Sequence, residues 1–137
     1  MWLFYALLSA VFASLTAILA KVGIKHVDSN LATAVRTVVV VVLAWGIVLT
    51  RKPIPSLASL SSTNWTYLIL SGLATGLSWV CYFKALQLGK VSQVAPVDKL
   101  SLALTILLSV VFLGDVLTWK TAVGATLIIA GTLVLIL

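Results

Sequence analysis

A chain of 137 residues that is 62% hydrophobic and only 9% charged cannot clothe a water-soluble domain, whose residues are about one quarter charged. The net charge of +6 comes from nine Lys and Arg against three Asp. Those bases are scattered at the ends of apolar runs, which fits juxtamembrane anchoring and argues against nucleic acid as a partner. The lone Cys81 rules out an internal disulfide, and the lone His26 has no partner ligands nearby in sequence. No metal and no cofactor are therefore expected.

Punctuation and hydropathy divide the chain into apolar runs at about 2–21, 31–50, 65–88, 93–113 and 119–137. Each is close to the ~20 residues that a helix needs to cross the bilayer. None alternates with period two, so a closed barrel is excluded. The expected fold is an all-α integral membrane protein, a five-transmembrane-helix bundle forming one membrane domain over 1–137, with the lipid bilayer as its solvent.

The first run opens on Trp2 and Tyr5, suited to an interfacial aromatic belt. It lacks the basic start of a signal peptide, since Lys21 follows the apolar stretch. Trp2, Tyr5, Ser9, Phe12, Ala13, Thr16 and Ala20 share one helical face. That face reads either as a helix–helix seam or as a cavity wall. Lys21 and Gly23 suit the end of this helix.

Asp28, Ser29 and Asn30 are good N-caps for the second helix. Arg36 falls about 10 Å down that helix, on the face of Ser29 and Thr33. It either snorkels to the interface or faces a polar interior. The linker from Arg51 to Asn64 is broken by Pro53 and Pro55. In the third run Gly72, Thr75, Gly76, Trp79, Tyr82 and Phe83 surround one side, with Gly72-xxx-Gly76 a small-residue pair. Trp79 and Tyr82 sit deeper than a belt requires, as a ligand wall would.

The fourth run carries the most informative pattern. A helix is expected to begin near Pro96, since proline is favoured in a first turn. Asp98, Ser101, Thr105 and Ser109 then form a polar stripe down an apolar helix, and such a stripe faces protein or water rather than lipid. Gly114 ends this helix and Thr118 caps the fifth, which reads as packing.

Short links make successive helices alternate in direction. Lys21, Lys25, Arg36, Lys84, Lys90, Asp98 and Lys99 then belong to one end of the bundle. Arg36, Lys84 and Asp98 come at similar depth, where a carboxylate or a polar metabolite could bind. Asp98 is expected to be ionised and paired with Arg36, because nearby positive charge favours the carboxylate. Leaving out the intramembrane Arg36 and Lys99, the bases Lys21, Lys25, Lys84 and Lys90 at that end number four against three at the other, Arg51, Lys52 and Lys120. The positive-inside rule then puts the N-terminus outside, and a margin of one allows insertion both ways.

Ser78-Trp79, Tyr82, Ala85-Leu86, Gly89, Ser92, Val94-Ala95-Pro96, Leu113-Gly114-Asp115 and Gly124-Ala125…Ile128…Gly131 resemble an EamA repeat of the drug/metabolite transporter superfamily. Asp98-Lys99-Leu100-Ser101, and Val27-Asp28-Ser29-Asn30 leading to Arg36, look like its small single-repeat members. The family's Gly-Glu after the fourth helix is here Gly114-Asp115. Larger members carry two such repeats in inverted orientation, so the resemblance implies a homo-oligomer, with an antiparallel dimer restoring the inverted pair.

The leading functional expectation is a secondary transporter or facilitator of small polar or amphipathic metabolites such as amino acids. Arg36, Trp79, Tyr82, Lys84, Asp98, Lys99, Ser101 and Thr105 would bind that small-molecule substrate. A proton-coupled small multidrug exporter is the alternative within transport, and a non-transporting accessory membrane subunit the alternative outside it. No nucleophile–base set or phosphate-binding loop argues for an enzyme. The expected location is the inner membrane of a bacterial or archaeal cell.

Overall fold

The computed structural model describes residues 1–51 and 59–137. Five helical stretches in it are long and apolar enough to cross a membrane: Trp2–Gly23, Ser29–Thr50, Ser62–Leu88, Val91–Leu113 and Trp119–Ile136. The described residues contain no strand. The fold is thus the expected all-α, five-span membrane architecture. Lys52, Pro53 and Pro55 of the expected linker lie outside the described residues.

The first three spans are the continuous helices α1 (Trp2–Gly23), α2 (Ser29–Thr50) and α3 (Ser62–Leu88). The fourth is divided into α4 (Val91–Asp98), α5 (Leu100–Leu108) and a π-helical turn at Ser109–Leu113, and the last is α6 (Trp119–Ile136). Large apolar side chains cover the outside of every span, among them Leu19, Val42, Leu77, Leu104 and Leu127. That is the reverse of a soluble domain and the arrangement that lipid favours. The chain falls into two compact units, Leu19–Gln87 and Met1–Ile18 with Leu88–Leu137.

In the Leu19–Gln87 unit, the short link between α1 and α2 is tied to the end of α3. The Lys21 ammonium donates to the Leu86 carbonyl, and Gln87 Nε2 donates to the Val27 carbonyl at 3.0 Å. Lys21, in the last turn of α1 as its sequence position predicts, thereby also serves an orphan carbonyl in the last turn of α3, where a cation suits the negative helix terminus. Asp28 caps α2 as expected, its Oδ1 accepting from the Asn30 and Leu31 amides at 2.9 and 3.1 Å. Ile24, Ser29, Thr33, Phe83 and Leu86 form the buried centre. The hydroxyl of Thr33 donates to the Ser29 carbonyl at 2.8 Å, so its burial leaves no donor unmatched.

In the other unit, α4 and α5 pack on α6. The fourth span starts at Val91, so Pro96 lies inside α4 rather than in its first turn. A proline there has no N–H for the preceding turn and crowds the carbonyl four residues back. The helix tightens in response. The Lys99 amide donates to the Pro96 carbonyl at 3.0 Å and Leu102 to the Lys99 carbonyl at 3.0 Å, both three-residue steps. Thr132, buried on α6, donates from Oγ1 to the same Pro96 carbonyl at 3.3 Å. At the far end, Gly114 takes φ 70°, the left-handed region in which glycine has no steric penalty. The span stops there as predicted. Thr118 Oγ1 accepts from the Thr121 amide at 3.2 Å and caps α6.

Candidate functional site

Two bonds set the register between α2 and α3. Because Lys21 and Gln87 fasten the α1–α2 link to the last turn of α3, the start of α2 and the end of α3 are level. Arg36 is about 10 Å of helix inward from Ser29, and Trp79 about 13 Å inward from Leu88. Similar depth is therefore built in, and the side chains meet. The Arg36 guanidinium carbon lies 4.3 Å from the Trp79 ring centroid and 5.1 Å from that of Phe83.

Trp79 and Phe83 are four residues apart on α3, so they lie one turn apart on one face of the helix. Cation–π contacts contribute about 0.5–1 kcal/mol at exposed sites and about 2 kcal/mol when desolvated, and the half-buried Arg36 lies between these limits. They hold the charge against protein rather than letting it snorkel. Phe83 is fixed in turn by burial, at 2% exposure, and by an edge-on contact with Tyr82, ring centroids 6.3 Å apart. Lys84 points elsewhere: it is exposed and donates to Gln87 Oε1 at 3.3 Å.

The remaining predicted site residues belong to the other unit. Asp98 closes α4, and its Oδ2 is 3.2 Å from Lys99 Nζ. Adjacent helical residues normally diverge by about 100°; the interruption at Lys99 lets the two pair. Within its own unit Asp98 is paired with Lys99, and within its own unit Arg36 lies over two aromatic faces. Ser101 and Thr105 are exposed, with the Thr105 hydroxyl donating to the Ser101 carbonyl at 2.8 Å. Ser109 is half-buried and donates to the Ile106 carbonyl at 2.9 Å. The expected face of α1 is likewise open at its start, Trp2 being 79% exposed, and packing begins at Thr16 and Ala17.

The model of the EamA-like transporter family matches residues 1–137. This chain belongs to that family. EamA proteins are part of the drug/metabolite transporter superfamily, a membrane transporter group. Among curated proteins, a Sinorhizobium sp. protein named "Uncharacterized transporter in cobO 3'region" is 45% identical over 134 residues, 98% of this chain and 95% of its own length. An uncharacterized protein of Methanocaldococcus jannaschii is 36% identical over 70 residues, 51% of each chain. No solved structure matches.

In this EamA chain, sequence reasoning missed the role of Phe83, the second half of the arginine platform. Its spacing of four from Trp79 was the available signal. Gln87 and Thr132 were missed as well. Each is a single polar side chain near a helix end or in an apolar run, and its partner is a backbone carbonyl, which no side-chain pattern reveals. A shallow apolar groove on α6, lined by Trp119, Ala122, Val123, Thr126 and Leu127, contains none of the predicted site residues.

Proposed function

We propose that this EamA chain is a secondary transporter or facilitator of small polar or amphipathic metabolites of the amino-acid kind. It works as a single membrane domain that pairs with a second copy, antiparallel, in the inner membrane of a bacterial or archaeal cell. The observation that carries the reading is Arg36, a permanent cation inside a membrane span, held on an aromatic floor of Trp79 and Phe83. Intramembrane charge is costly and persists where it handles polar cargo. Aromatic walls with one polar anchor are the usual makeup of a small-molecule site. Tyr82 flanks that anchor, while Asp98, Lys99, Ser101 and Thr105 form a second polar group along the fourth span.

Purified protein in liposomes tests the reading. An equimolar mixture of the twenty L-amino acids, radiolabelled one at a time, should show saturable uptake of at least one member. Absence of uptake for every member, with folded protein present, would favour the accessory-subunit role. Rates that stay flat between pH 6 and 8 distinguish facilitated transport from proton-coupled export, which requires a steep change across that range.

A further inference from the structure

We infer that Arg36 is a carboxylate-binding site: the in-plane edge of its guanidinium receives the carboxylate of the transported molecule. The inference rests on the transport reading and specifies how the cargo is recognised. The contacts with Trp79 and Phe83 place the guanidinium carbon over the two ring faces, 4.3 and 5.1 Å from their centroids, and occupy none of its N–H groups in a hydrogen bond. The guanidinium's five N–H donors lie in the plane and remain free to form a fork with two oxygens.

Among the described residues of the Leu19–Gln87 unit Arg36 has no hydrogen-bond acceptor and no ion-pair partner. The Leu19–Gln87 unit cannot supply a carboxylate from within. Its one acid is Asp28, and Asp28 is engaged at the start of α2. Asp98, the acid of the fourth span, is paired with Lys99. Every buried side-chain nitrogen and oxygen among the described residues has a partner, so the unmatched donors of Arg36 lie where a ligand can reach them. An unmatched guanidinium edge at this depth selects a planar oxyanion over a neutral amide. The amide offers one acceptor and brings a clashing N–H₂. A carboxylate can come from a soluble amino acid, and the same edge could take the phosphate of an anionic lipid; the aromatic floor, which suits a compact ligand lying against it, favours the former.

The test uses the full chain in nanodiscs of phosphatidylcholine alone, with the melting temperature as readout, since a ligand bound only by the folded state raises it. Each L-amino acid is compared with its carboxamide. At least one acid should stabilise while its amide does not, with apparent affinities differing by roughly ten- to hundredfold, the range for a hydrogen-bonded charge pair. This comparison needs no variant. Arg36→Lys should weaken binding and Arg36→Gln abolish it. Equal stabilisation by acid and amide, or by none of the acids, overturns the inference. So does Arg36-dependent stabilisation by phosphatidylglycerol nanodiscs to which amino acids add nothing, which would identify a lipid phosphate. Acid-specific binding without uptake in liposomes would overturn the transport reading and leave the anion site standing. Uptake equal for acid and amide, and unchanged in Arg36→Gln, would keep transport and remove the site.

Discussion

Thr132 is the buried residue of α6, and its hydroxyl donates to a carbonyl that Pro96 holds inside a broken helix. In water such a bond contributes about 1 kcal/mol, and between membrane helices about 0.6 kcal/mol. Thr132→Val keeps the shape and removes the donor. It should lower stability by about 0.5–1 kcal/mol, read from the midpoint of detergent unfolding. Asp28→Ala removes both amide bonds at the start of α2 and should cost about 1 kcal/mol. At Arg36 the relevant comparison is Trp79→Leu. It keeps the bulk, deletes the better of two π faces, and should shift the guanidinium toward the interface at a cost of about 1–2 kcal/mol. The caps Asp28 and Thr118 were readable from sequence because capping is a property of a residue and its near neighbours. The partners of Lys21, Gln87 and Thr132 were not, because each bonds a carbonyl contributed by another helix, and every residue has one.

Along the fourth span, spacing located the polar stripe but not the interruptions. Pro96 is compatible with a first turn or with an interior kink, and only the position of Val91 decides between them. The stripe itself divides by burial: Ser101 and Thr105 are exposed, whereas Ser109 is half-buried. Single cysteines at Ser101 and Thr105, in a Cys81→Ser background, should react with a polar thiol reagent faster than cysteines at Leu102 and Leu108. Equal protection at all four positions would make the stripe a dry seam. The open faces of Gly72 and Gly76, where an added Cβ meets no atom within 4 Å, show that this small-residue pair is not packed among the described residues of the Leu19–Gln87 unit. The sequence motif was visible; whether anything fills it was not.

For the molecule as a whole, the five-span frame was legible because hydrophobic length is a direct measure of the bilayer. The division of the fourth span and the local partners of Arg36 and Asp98 were not, since they depend on register between helices. Cross-linking in native membranes should yield a dimer, and pairs placed to link opposite ends of two copies should react. Recovery of monomer alone would remove the proposed assembly, whereas parallel pairs alone would remove only its inverted arrangement.

The bonds from Lys21 to Leu86 and from Gln87 to Val27 join groups 65 and 60 residues apart in the chain. During synthesis, at about 5–20 residues per second, several seconds separate the emergence of the first hairpin from that of the groups that lock it. Throughout that interval the α1–α2 link carries Lys25 and His26 but no fastening to α3. A hairpin that commits to an orientation in that interval does so without this anchor, on its flanking charges and interfacial aromatics. A ribosome stalled before Leu86 would leave that choice reversible, and a charge added to the link should reset the orientation of the finished protein more effectively than one added after α3.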